Sequence, residues 1–230
     1  MVTQLTILSD FPFVLDLAEL LRRLRVAPDS ADVGQLRQMA DHAQKIARPK
    51  AAYRLAYVDS KEPDAVVVDK VRLTSRVLRV NLEEAHRVVG YVATCGRELH
   101  EWSESIPDVF ERYWADEIKA MALGCALAAC DAHQTKHLEL GKTSRMNPGS
   151  LPDWPLTQQG PLFEILGDVR SAVGVELTGS FLMVPNKSVS GLRFPTETSF
   201  ENCQLCPREV CPGRRAPYDP KLYERRYGQA

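Results

Sequence analysis

Residues 108–137 constrain the fold of this 230-residue chain most. After Pro107, the side chains Phe110, Tyr113, Trp114, Ile118, Met121, Ala122, Cys125, Ala126 and Ala129 recur at helical spacing on one broad face. The alanines and Gly124 predict a long helix buried under close neighbours. Cys125 and Cys130 read as small core residues rather than ligands, because free cysteine is among the most buried residue types. Residues 51–94 have another rhythm. Short β-branched runs at 53–58, 65–68, 71–80 and 88–94 are separated by Asp, Pro, Lys and Asn, which predicts strands of one sheet with a short helix near 82–86.

The first fifty residues read as a helical lead-in, with amphipathic helices at 13–24 and 32–47, the second ended by Pro49. They would serve equally as a docking face for a partner. Beyond the long helix, 143–155 is dense in loop formers. A short helix follows at 158–166, with Pro161 in its first turn and Gly167 at its close. Strands at 176–184 and 188–194 flank the turn Pro185, Asn186, Lys187, and 196–230 has little periodicity. The expected class is α+β, with mixed helices around a twisted, mainly antiparallel sheet. The expected divisions are 1–50, 51–195 and 196–230.

With 44% hydrophobic and 26% charged residues, the chain can bury a sizeable core. A net charge of −1 gives no global attraction for nucleic acid or an anionic membrane. The N-terminus lacks a secretion-signal pattern, and no apolar stretch reaches the roughly 18 residues of a membrane span, so a cytoplasmic location is expected. In a reducing compartment six cysteines are not expected to form a disulfide framework, and three of them crowd together as Cys203, Cys206 and Cys211.

The run Arg145, Met146, Asn147, Pro148, Gly149, Ser150 places a guanidinium beside a turn whose Pro fixes one dihedral and whose Gly permits close backbone approach. Such a fork suits a ligand carboxylate, although a surface turn with a solvated Arg has the same appearance. Read with Trp154, Pro155 and Leu156, residues 162–167, Gly174, Val175, Leu177, 180–185 and 187–191, it resembles the activation region of cobalamin-dependent methionine synthase and its free-standing relatives. The resemblance is best over 145–191 and extends weakly through Thr94, Cys95, Gly96 and Asp116 to about residue 51. It implies an α+β domain that binds S-adenosylmethionine in a shallow groove and presents the methyl group to a corrinoid. Arg145 matches the family's arginine for the methionine carboxylate, and Pro148 and Gly149 match the turn along which the ligand lies. Two positions depart from the pattern: Ser150 stands where the family has Tyr, and Gly124 aligns approximately with its acidic residue.

A corrinoid-binding domain would show Asp-x-His-x-x-Gly. The nearest match, Asp131, His133 and Lys136, lacks the glycine and lies in a helix, so His133 reads as a helix-face histidine. The corrinoid is then expected on a partner, either a corrinoid-binding protein or a truncated methionine synthase. Cys203, Cys206 and Cys211, with Pro207 and Pro212 behind the second and third, suit an iron-sulfur cluster or zinc. The fourth ligand is open among Cys95, a remote His, solvent and a partner residue. The expected role is reductive reactivation of a corrinoid methyltransferase, with an iron-sulfur centre passing the electron from a donor. The alternative is a corrinoid-protein chaperone with a structural zinc tail.

Overall fold

The structure, a computed structural model, describes residues 3–211 and 213–228, so Pro212 lies outside the described residues. The chain runs β1 (Thr6–Leu8), α1 (Leu17–Leu24), α2 (Val33–Ile46), β2 (Lys50–Lys61), β3 (Ala65–Val68), β4 (Val71–Thr74), α3 (Arg76–Asn81), β5 (Arg87–Thr94), α4 (Arg97–Ser105) and α5 (Val109–Leu138). It continues with β6 (Thr143–Met146), α6 (Gln159–Leu166), α7 (Val169–Val173), β7 (Glu176–Leu177), β8 (Met183–Val184), β9 (Ser188–Pro195) and α8 (Leu222–Arg226). The main sheet has the order β4-β3-β2-β5-β9-β6, with β1 also paired to β2, and every pairing is antiparallel. The α+β class and the mainly antiparallel sheet are as expected from the sequence.

Strand β5 shows why the sheet is central. Val88 and Val92 point into one apolar layer with Trp154, Leu162, Ile165 and Phe194, while Val89, Tyr91 and Ala93 point into the other with Ala126 and Cys130 of α5. Both faces are covered, so this strand reads as a continuous apolar run. Helix α5 would measure about 45 Å at the usual 1.5 Å rise per residue, long enough to serve two cores. Its first half packs Ala115, Ile118 and Ala122 against α1, α2 and α4, and its second half packs Ala126 and Cys130 against the sheet. Asp108 starts it by accepting the amides of Phe110 and Glu111 at 2.8 and 2.9 Å. Cys130 is the buried core residue expected, its thiol pKa pushed up to about 12 by burial, whereas Cys125 is only half-buried and lies outside the core because it faces the Pro12 carbonyl at 3.5 Å.

Several local expectations need correcting. Phe110 and Tyr113 are 71% and 54% exposed, because the apolar stripe turns outward in the first turns of α5. Gly124 is exposed, and a Cβ there would meet nothing within 4 Å, so its small size does not serve close packing. The expected strand at 71–80 stops at Thr74. The Ser75 hydroxyl accepts the Leu78 amide at 2.9 Å and Asp153 accepts the Val77 amide at 3.0 Å, which starts α3 six residues before the expected helix. The first residues are not all helical, since Thr6–Leu8 pairs with β2. The expected strand at 176–184 becomes the two short strands β7 and β8 around a turn at Thr178, whose amide donates to Leu182 at 2.8 Å. The tail adds Phe200, Leu222 and Tyr227 to the core on the α6 side. Among the described residues, no helix is long and apolar enough to cross a membrane.

Candidate functional site

Arg145 lies on β6, at the sheet edge, rather than in the expected loop, because residues 143–146 pair with β9 from Pro195 back to Leu192. Only this partner, some fifty residues away, makes the polar segment Thr-Ser-Arg-Met a strand. The alternation along β6 sends Ser144 and Met146 into the core and Arg145 towards α5. There the Arg145 guanidinium meets Asp131 at 2.5 Å and lies over the Tyr91 ring at 5.8 Å. Its side chain keeps 23% exposure. Burial pulls the Arg145 pKa down, and the Asp131 carboxylate more than offsets this, for a net rise.

Arg193 of β9 stands beside this pair. It donates to the hydroxyls of Thr143 at 2.9 Å and Thr135 at 3.1 Å, and to the Gln134 amide oxygen at 3.3 Å. Burial and the neighbouring Arg145 charge lower its pKa. Arg215 is taken by Glu201 at 2.8 Å. Two arginines set against Asp131 leave an excess positive charge at this edge of the sheet, where Arg145 is half-buried and Arg193 buried, which favours an incoming carboxylate.

The Asn147, Pro148, Gly149 turn leaves β6 beside this cluster. Asn147 Nδ2 donates to the Tyr91 hydroxyl and to the Ser190 carbonyl, both at 2.8 Å. Gly149 has φ of 82° and packs on Leu156. Its amide donates to the Trp154 carbonyl at 2.8 Å, and that of Ser150 to the Asn147 carbonyl at 3.1 Å. Both amides are spent inside the turn. The exposed Gly149 and Ser150 therefore offer a ligand a contact surface rather than free donors. Tyr91 and Arg193 were not read from the sequence as site residues. Tyr91 lies in the apolar run of β5, and its polar partners, Arg145 and Asn147, come from β6 and the turn after it.

No family model matches the chain, and no curated protein matches it. Among solved structures, it is similar to the MetH reactivation domain bound to AdoHcy, at 15% identity and a TM-score of 0.60. The match covers 100% of this chain and 88% of that one. The fold is that of the MetH reactivation domain. In this MetH-like fold, the face of α5 between Glu117 and Asp131 is open at Gly124. The three positions are spaced by seven residues and so share one side of the helix. A cavity of about 760 Å³ opens next to Tyr113 and Glu117, with Arg22, Arg23 and Arg25 on its far wall.

A second polar cluster ties α5 to the Pro185, Asn186, Lys187 turn. Asp116 bridges Lys187 at 2.7 Å and Lys119 at 3.3 Å, and Lys119 also donates to Asn186 at 3.0 Å. Burial pushes the Asp116 carboxyl up, but Lys187 and Lys119 outweigh it and hold the pKa below the ordinary value. Lys119 is only 2% exposed, so removing its carboxylate leaves a buried charge with a single amide partner. Asp116→Asn is expected to cost roughly 2–3 kcal/mol, short of the loss for a fully buried pair because Asp116 is 33% exposed. A depressed carboxyl pKa stabilises the fold above the unfolded-state value and is lost as pH falls through the folded value. Urea denaturation of wild type and variant should therefore converge in acid. A constant gap down to pH 2 would rule out the ionised pair as its source.

The three tail cysteines share one loop, which the Arg214 guanidinium organises by donating to the carbonyls of Cys203 at 3.1 Å, Cys206 at 3.3 Å and Ala216 at 3.2 Å. The Arg215 amide donates to the Cys203 sulfur at 3.4 Å. Among the described residues, no group of three or more His, Cys, Asp or Glu side chains converges as a metal site. Cys95 is not positioned to complete one. It is buried in the α1, α2, α4 and α5 core, where desolvation pushes its thiol pKa up to about 12. The loop thus supplies soft donor atoms with one N–H group directed at a sulfur, but its three thiols do not converge on a common point as the expected metal centre requires.

Proposed function

We propose that this domain binds S-adenosylmethionine at the Arg145 edge of the sheet and presents its methyl group to a corrinoid held by a partner protein. The observation that carries the reading is the half-buried Arg145, Asp131 and Arg193 cluster beside the Pro148 and Gly149 turn. It is supported by the likeness in fold to a domain solved with AdoHcy. The amino-acid end of the ligand carries one carboxylate and one ammonium. Arg145 takes the carboxylate and Asp131 the ammonium, so one internal ion pair gives way to two with the ligand. Asp131 thereby replaces the acidic group absent at Gly124, two turns earlier on the same side of α5.

The chain's part is orientation. Asn147, pinned to Tyr91 and Ser190, holds the turn against which the ligand lies, and no general acid or base is required. A corrinoid on the partner, reduced by an external electron donor, would supply the nucleophile for the methyl carbon, and the sulfonium sulfur would leave as the neutral thioether of S-adenosylhomocysteine. This chain's residues hold the methyl group in line for that transfer.

Cys203, Cys206 and Cys211 would hold an iron-sulfur centre, which supplies an electron carrier when bound. Protein prepared without oxygen should be brown and contain iron and sulfide, and Cys206→Ser should lower that content. Colourless anaerobic protein with one zinc per chain would favour a chaperone with a structural clasp. The reading as a whole is tested by calorimetric titration with S-adenosylmethionine. Absence of binding would sink the donor role.

A further inference from the structure

His133 and His137 occupy the last two turns of α5, and the proposed methyl transfer uses neither. They are four residues apart, which places both imidazoles on the same side of the helix, and their ring centroids are 4.2 Å apart. His133 is braced from outside the helix, because its Nδ1 lies 2.8 Å from the Tyr53 hydroxyl on β2. The phenol can donate or accept at this contact; when it accepts from Nδ1–H, the Nε2 lone pair of His133 is left directed away from Tyr53. A metal-binding histidine is commonly fixed this way, its second nitrogen held by an outer hydrogen bond.

We propose that His133 and His137 form a two-imidazole site for a borderline divalent transition-metal ion of the zinc, copper(II) or nickel class. Neutral nitrogen donors select this class over magnesium and calcium, which prefer oxygen. Two further observations fit a cation here. Helix α5 ends at Leu138, so the unpaired carbonyls of its last turn give this end a negative pole. A cavity of about 280 Å³, lined by Ser9, Asp10 and Phe11, opens onto His133 and leaves room for water on an ion bound there. Lys136 is the opposing charge. His137 is exposed, so its ring can turn from stacking on His133 to sharing an ion with it. Water completes the coordination, as at other open zinc sites.

The test is a zinc chloride titration of the full chain, followed through the imidazole signals of its five histidines by nitrogen-15 NMR. The six thiols also take zinc, but they do not move these resonances in the pattern expected of a chelate. His133 and His137 should shift together and saturate before His42, His86 and His100 respond. In His137→Ala, the His133 signal should need at least tenfold more zinc. Tyr53→Phe keeps the ring and removes the outer hydrogen bond, and should weaken the site by about tenfold. If His133 and His137 respond no earlier than the other three histidines, or His137→Ala leaves the His133 titration unchanged, the site does not exist.

Discussion

Gly191→Ala is expected to lower the unfolding free energy by about 3 kcal/mol, the upper end of what overpacking costs. Gly191 lies in the middle of β9, between Tyr91 of β5 and the end of β6. A Cβ there would stand 2.5 Å from the Met146 carbonyl oxygen, 2.5 Å from Asn147 Nδ2 and 2.9 Å from the Tyr91 hydroxyl. The first of these is backbone of the adjacent strand and cannot rotate away. Relief requires β6 to move outward, which also breaks both hydrogen bonds of Asn147 and carries Arg145 away from Tyr91. The urea midpoint should fall markedly, and S-adenosylmethionine affinity should drop in the fraction that remains folded. Stability within about 0.5 kcal/mol of wild type, the range of harmless surface changes, would show that β6 does not approach β9 this closely.

Arg145→Ala is expected to weaken S-adenosylmethionine binding by ten-fold to more than a hundred-fold, the loss of a charge-assisted pair worth roughly 1.5–3 kcal/mol. The loss should exceed that of Asp131→Asn, which removes the ammonium partner but leaves the guanidinium fork to hold the carboxylate. Arg145→Lys should recover little, because an ammonium cannot make two parallel bonds to a carboxylate. Calorimetry on all three variants reads the order directly. Equal affinity for wild type and Arg145→Ala would place the ligand elsewhere. Restored binding in Arg145→Lys would mean that charge alone matters there.

What could be read locally came from features that lie close together in the chain. The helix α5 announces itself by Asp108, by thirty residues without a breaker other than Gly124, and by its alanine-rich face. The close of α6 at Gly167 and the turn before β9 follow from Gly and Pro chemistry in the same way. The α+β class follows from the change of period between residues 51–94 and 108–137.

Tertiary structure decided the rest, because the forces involved join residues far apart in sequence. Residues 143–146 look like loop until β9 supplies their hydrogen bonds, and only then does pleating turn Arg145 towards α5. Ser75 and Asp153 together cut an apparent strand and start α3, although 78 residues separate them. Asp131 and Tyr91 carry no local sign of a role. They become site residues because α5 and β5 deliver a carboxylate and a ring to the same guanidinium. The sequence by itself determined which residue types were available and which segments could be helix or strand. Which of those side chains share a pocket was decided by the order of strands across the sheet and by the register between β5, β9 and β6. A one-residue slip there would have turned Arg145 into the core and left the pocket without its charge.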